Sequence, residues 1–466
     1  MPAVSGARGA RVSRATSTIL RGQPFLDSTG LTLSGLTLGV NRPSKQGNVW
    51  DTLAIPSDGT KPDWGVGYVS VHQVNDVTKI FTTCFDSPSI NTVHHGYVTT
   101  TDGSTMTRPN NGLVTFAGNT NNALITPGSF TRNQFRTTWD DYSKRYVCIV
   151  TTGVGTLSLY QAASMPGAWG ASVKDLTAAS FGKTYMEPMA FWRRSDNRAV
   201  IYYQDIQSGT ADYGSIRRHV GMLLGPSDGS LTGTWTDSGR VLSAASGNAQ
   251  LYYSGAWVDG DLVYVPVGIF DGDASGPPSG HSISGTINRI HKVSLYTARA
   301  NSGTTLTLAD ADWLSSTGVG GEYDGGEVIG CNNVARASNT WRYYFGGDDD
   351  THHQTPELRR AMGYCTLGYR RIGKATGTGY VIDTTTVSAP QGGTLTVNGT
   401  GITSVELLNP VSGSALSGYA AANCMSIGSD VYDVPVSWNG STGLPTSFLV
   451  KINVSGGAAN HYEVKS

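Results

Sequence analysis

Residues 135–152, FRTTWDDYSKRYVCIVTT, decide how the rest of the chain is read. A strand of mixed small and apolar residues runs into a polar turn at Asp140-Asp141, and a strand rich in aromatic and β-branched residues follows. Asp, Asn and Gly tolerate left-handed backbone or close through Asx-turns, so the pattern reads as a β-hairpin. The same logic returns at 67–86 (GYVSVHQVNDVTKIFTTCFD), 189–205 (MAFWRRSDNRAVIYYQD), 252–268 (YYSGAWVDGDLVYVPVG) and 330–347 (GCNNVARASNTWRYYFGG). The turns there are Asn75-Asp76, Asp196-Asn197, Asp259-Gly260 and Ser338-Asn339. Hairpins recurring at long intervals point to a radial repeat rather than one continuous sheet. Five hairpins predict five blades.

Third strands follow the hairpins at 94–103, 217–229, 287–296 and 359–373, and Asp102-Gly103 and Asp228-Gly229 turn the chain towards an outer strand. No stretch carries convincing helical periodicity. Around Gly373 the pattern changes. TGTGY at 376–380 reads as a linker, and short strands at 394–398, 404–409, 433–438 and 447–454 fit a small β-sandwich. The expected fold is therefore all-β: a basic arm over 1–24, a five-bladed β-propeller over 25–375 and a C-terminal β-sandwich over 376–466.

Only 14% of the 466 residues are charged, against about 25% in an average soluble protein, and 60 are glycine. Turn-rich all-β chains have this composition, as do virion and secreted proteins. A net charge of −1 argues against a nucleic-acid binder, which needs a basic face. No run of about 18 apolar residues exists, so no membrane insertion is expected. The five cysteines are widely spaced without a CxxC, which indicates neither a disulfide framework nor a zinc site, and buried free thiols are expected. His352-His353 beside Asp348-Asp349-Asp350 is the one metal-like cluster, and a loop explains it as well; no metal and no cofactor is predicted. Arg8, Arg11, Arg14 and Arg21 precede the first acid, Asp27, and Val12 to Leu20 is too polar for a signal peptide. This segment reads as an arm held by a neighbouring subunit of a larger assembly.

The run HHGYVTTTDGSTMTRPNNGLVTFAGNTNNALI at 94–125 resembles the first-blade signature of five-bladed glycosidase-like proteins. So do Phe25-Leu26-Asp27 and Trp341-Arg342-Tyr343-Tyr344-Phe345-Gly346-Gly347. GGTLTVNGTGITSVELLNP at 392–410, Asn423-Cys424, Asp430 and VPVSWNG at 434–440 resemble the small C-terminal sandwich of the same proteins. The group is similar to the propeller superfamily containing glycoside hydrolase families 32 and 43. The resemblance spans 25–466 and implies architecture more than activity, because fold does not fix function.

In a propeller the residues just before each innermost strand face the central channel. Those positions are Asp63-Trp64, Arg132-Asn133, Glu187-Pro188, Asn248 with Gln250, and Glu322, Asp324 and Glu327. Glycoside cleavage needs two carboxyl groups across a bond, one protonated and one ionised. By resemblance, Asp63 is the base or nucleophile and Glu187 the acid. Asn133 departs from the pattern, standing where an orienting Asp is expected; Asp324 is the candidate replacement. Basic residues at the heads of third strands form a second set: His94, His95, Arg218, His219, His291, Arg359 and Arg360. With Trp64, Tyr185 and Tyr323 they form a candidate sugar site, aromatic faces stacking on the ring and Arg or His binding hydroxyls.

Two readings follow. One is a glycoside hydrolase acting on a surface polysaccharide. The other is a lectin-like or structural module on a virion, such as a phage tail or spike reading host glycans; its support is Asn133, the arginine arm and the lysine-poor composition. The joint expectation is a carbohydrate-binding propeller on a virion, catalysis undecided, with cytoplasmic or signal-free secreted placement as the alternative.

Overall fold

The computed structural model describes residues 19–26, 30–51, 65–74, 77–85, 93–107, 135–152, 155–164, 169–207, 217–243, 249–273, 287–318, 323–348, 360–389, 392–440 and 443–466. They fall into two compact units. One comprises 24–27 and 38–374; the other comprises 1–23, 28–37 and 375–466.

The first unit is the five-bladed β-propeller. Blade one is Gly65–Val74, Val77–Phe85 and Val93–Thr100. Blade two is Phe135–Asp140, Arg145–Thr152, Thr156–Ala162 and Lys174–Thr177. Blade three is Tyr185–Arg193, Ala199–Gln207, Arg217–Leu224 and Thr236–Leu242. In blade four, Ala249–Ser254 and Trp257–Asp259 share one edge of Leu262–Asp273, and Ile287–Arg299 and Thr307–Ser315 complete the sheet. In blade five, Glu327–Gly330 and Ala335–Ala337 share one edge of Thr340–Asp348, followed by Arg360–Gly368. Its outer strand is Ser44–Asp51, from the other end of the unit's chain. The first strand of each blade touches the first strand of the next, and blade five returns to blade one, so the ring closes.

Each blade lies between two others, which is why its middle strands lose the alternation of a half-buried sheet. From Tyr146 to Thr151 every side chain is buried, and the same holds from Leu262 to Val267. Separate cores fill the gaps. Met186, Phe191, Ile201 and Tyr203 of blade three pack with Val147 and Ile149 of blade two. Trp192, Val200, Tyr202 and Met222 pack with Leu251, Val263 and Val265 of blade four. The hairpin turns read from sequence form where positive φ is required: Asn197 sits at 66°, Gly260 at 59° and Ser338 at 50°. Asn75-Asp76 lies outside the described residues.

Polar bonds also tie the first strands together. Asn332, 3% exposed, accepts from the Val71 N–H of blade one at 2.8 Å and donates through Nδ2 to the Thr137 carbonyl of blade two. Its own carbonyl accepts from the Ala256 N–H of blade four at 3.2 Å. One asparagine of blade five thus holds three other blades. Arg136 Nε adds a bond from blade two to the Met189 carbonyl of blade three at 3.0 Å.

The second unit is the small β-sandwich, built from a six-stranded sheet ordered Leu31–Val40, Gly373–Ser388, Ser447–Lys465, Thr394–Leu408 and Asp430–Pro435, with Ile19–Pro24 also on Ser447–Lys465. Its buried faces carry Leu395, Val405, Leu407, Val436, Trp438, Phe448, Val450, Ile452 and Tyr462.

The structure corrects three sequence expectations. Residues 19–24, assigned to an arm held by a neighbouring subunit, are a strand of the chain's own sheet, and Arg21 bonds the buried Asp383 through Nε at 2.9 Å and Nη2 at 2.7 Å. Residues 31–37, assigned to the propeller, pair with the C-terminal strands. TGTGY, read as a linker, lies inside Gly373–Ser388: Gly377 has φ 135°, and a Cβ there would come within 2.5 Å of the Gly35 carbonyl. These glycines serve close approach of two strands, not flexibility.

Among the described cysteines, Cys148, Cys331 and Cys365 are buried free thiols, and burial pushes Cys148 and Cys331 up to about 12.

Candidate functional site

The head of the propeller is the end where the first strands begin, at Gly65, Phe135, Tyr185, Ala249 and Glu327. Asp63, Trp64, Asn133 and Arg359 lie outside the described residues, as do Arg132, Asn248, Glu322 and His352-His353. Gln250, His94, His95 and Arg360 are placed by their backbones alone.

Blade three supplies the best-defined part of the head. Residues directly opposite one another in an antiparallel pair share a face, and alternate residues return to it. Glu187 lies opposite Gln204, which lies opposite Val220; two residues towards the head, Arg218 lies opposite Ile206. Glu187, Gln204 and Arg218 therefore share one face, the one carrying Val200, Tyr202 and Met222 to blade four. Glu187 is 3% exposed, Gln204 is fully buried and Arg218 is 7% exposed. The Arg218 guanidinium carbon stands 4.9 Å from the ring centre of Tyr252 in blade four, a cation–π contact. A carboxyl, an amide and a guanidinium thus share one face, and the guanidinium meets a phenol ring of the next blade. Tyr185 sits beside Gly155 of blade two, where a Cβ would come within 2.9 Å of the Tyr185 Cα.

Neighbouring positions do not converge with this face. His219 follows Arg218 and so points to the opposite side of the sheet, opposite Asp205. There Asp205 Oδ2 takes Arg240 Nε at 3.0 Å and Lys183 Nζ at 3.4 Å. By backbone register, Asp271 lies opposite Arg289 in blade four, and Asp348 opposite Arg360 in blade five.

Asp324 is the candidate replacement for the carboxylate missing at Asn133. It is fully buried, packs on Gly347 of the second strand of blade five and is paired through Oδ2 with Lys45 of the outer strand. Tyr323 stacks on Phe345 with ring centres 6.1 Å apart, over the same sheet. His291 is half-buried on the third strand of blade four, where its carbonyl accepts from Ser316. Glu327, on the first strand of blade five, lies opposite Asp348, and both are buried.

The structure adds Gln204 and Tyr252 to the group around Glu187. Both sit within apolar runs, IYYQDI and LYYS, where a polar group on one face of an inner strand was the only available signal. No group of three His, Cys, Asp or Glu among the described residues is arranged to hold a metal ion.

No family model and no curated protein sequence matches the chain. Solved structures of similar shape include the catalytic domain of a GH62 alpha-L-arabinofuranosidase from Coprinopsis cinerea, 12% identical over 70% of this chain and 97% of that one, at TM-score 0.47. An N-acetylgalactosamine deacetylase from F. plautii is 14% identical over 72% and 96%, at TM-score 0.47. A glycosyl hydrolase from Bacteroides ovatus is 14% identical over 72% and 94%, also at 0.47. At this distance no residue role is carried from them to this chain.

Proposed function

We propose that the chain is a carbohydrate-binding protein that takes a surface polysaccharide at the head of its propeller. The observation that supports this reading most is the shared face of Glu187, Gln204 and Arg218 against Tyr252. A carboxyl, an amide and a guanidinium on one wall supply both hydrogen-bond donors and acceptors. A sugar presents alternating hydroxyl donors and acceptors beside an apolar C–H face, which such a wall complements. Glu187 is also the group that would donate a proton if the bound glycan is cleaved, with Asp63 as its partner by resemblance. The particle-borne setting, a phage tail or spike on a virion, belongs to this proposal through composition alone.

The test is a glycan array on the purified chain, with Arg218→Ala beside the wild type and product analysis on each responsive polysaccharide. Binding that is lost in Arg218→Ala with an unchanged melting temperature is the expected result. An array with no responsive glycan overturns the reading. New reducing ends on a responsive polysaccharide would place the chain among the hydrolases, and their absence would leave it a binding protein.

A further inference from the structure

At the other end of the channel, where the first strands finish, the propeller holds a cavity of about 240 Å³. Thr138 to Asp141 of blade two, Phe191 to Arg193 of blade three, Ala256 to Val258 of blade four and Asn333 of blade five line it. Six residues separate Glu187 from Arg193 along one strand, so the two ends lie about 20 Å apart. The cavity is distinct from the Glu187 face.

Its walls divide into scaffold and free groups. Asp140 and Arg193 are scaffold. The carboxylate receives Arg193 Nε at 2.9 Å and Nη2 at 2.6 Å, and Ser143 Oγ at 2.7 Å. Arg193 Nη1 is spent on the carbonyls of Asn197 and Gly229. Three other groups keep capacity. Trp139 is 37% exposed, standing edge-on to Tyr146 at 4.9 Å between ring centres. It is an unusual degree of exposure for an indole on an inner strand. Its Nε1 donates to Asp141 Oδ1 at 3.0 Å, and Lys144 Nζ reaches the same oxygen at 3.1 Å, which leaves Asp141, with a side chain 85% exposed, able to accept through its other oxygen. Trp257 is 5% exposed, and its Nε1–H is buried without a hydrogen-bond partner among the described residues. A buried donor left unmatched is destabilising, and a ligand acceptor would relieve it.

We propose that this tail cavity binds one sugar ring of a glycan, its C–H face on the Trp139 indole and its hydroxyls on Asp141 and the Trp257 N–H. The volume is below the roughly 300–1,000 Å³ of pockets for drug-sized ligands, which limits the occupant to a single ring. Asp141 and its partner Lys144 together carry no net charge, so a neutral ring is the expected occupant rather than a uronic acid. The proposal shares its ligand class with the head-end reading but none of its residues, so the two fail separately.

The test is tryptophan fluorescence of the full chain titrated with free glucose, galactose, N-acetylglucosamine and glucuronate. Saturable quenching by a neutral sugar, weakened about tenfold by Trp139→Ala and by Asp141→Ala but unchanged by Glu187→Gln, is expected. Both tail side chains are exposed, and circular dichroism checks that the variants fold. The proposal is overturned if no neutral sugar gives saturable quenching, if glucuronate binds best, or if Glu187→Gln removes the signal while Asp141→Ala keeps it.

Discussion

Replacing Asn332 by Leu tests whether one side chain holds the ring of blades. Leu is close in volume and suits a buried site, so little cavity is created. What disappears are the bonds to the Val71 N–H and the Thr137 carbonyl, both on buried residues. Each orphaned backbone group costs about 1–3 kcal/mol, giving about 2–6 kcal/mol, a large part of the roughly 5–15 kcal/mol that keeps a domain folded. Urea unfolding followed by tryptophan emission measures it, the midpoint falling at unchanged slope. Asn332→Asp gives a second, signed readout. The carboxylate keeps the acceptor for Val71 but faces the Thr137 carbonyl, so its folded pKa is raised and the protonated form, which can donate, is favoured. The folded state then binds more protons than the unfolded one, and the variant gains stability as pH falls through the raised pKa and loses it as pH rises. A Leu variant within about 0.5 kcal/mol of wild type would refute the reasoning, because surface-like neutrality is incompatible with two buried orphans.

Further outcomes are open to measurement. Arg21→Met removes the cation from the buried Asp383, which also accepts from the Tyr462 hydroxyl, and should destabilise the sandwich unit by about 3–5 kcal/mol in denaturant; a truncated chain beginning at Gly22 should behave likewise. For Asp140, burial raises its pKa but the bonds from Arg193 and Ser143 outweigh it, leaving the carboxyl below its ordinary value. Its stabilising contribution is therefore present above the ordinary carboxylate range and lost as pH falls through the depressed value; Arg193→Met should shrink that acid-side loss in a pH series of melts. On any polysaccharide the chain cleaves, Glu187→Gln should lower turnover about 10²–10⁴-fold at matched binding, read by released reducing ends.

What was legible in the sequence was local. Asp196-Asn197, Asp259-Gly260 and Ser338-Asn339 announced hairpins because their backbones need positive φ, and the apolar strands beside them could only be sheet. Pairings between distant segments left no such mark. Ser44–Asp51, SKQGNVWD, is too polar to read as a strand, yet it closes blade five opposite Arg360–Gly368. TGTGY looked like a linker because glycine that permits close strand approach and glycine that permits flexibility are the same residue. In the candidate site, Glu187 and Arg218 were visible as polar residues at strand heads. That His219 faces away from Arg218, and that Asp324 belongs to Lys45, depended on register and on a strand contributed from far along the chain. Trp139 and Asp141 were legible only as a hairpin turn, because nothing local shows that four blades bring their ends to it.

The head-end reading is tested most directly by a crystal structure of the chain soaked with a polysaccharide fragment taken from the array. The account predicts a sugar within hydrogen-bond reach of Glu187 and the Arg218 guanidinium, beside Tyr252. A fragment bound only elsewhere, with the Glu187 face unchanged and unliganded, would contradict it.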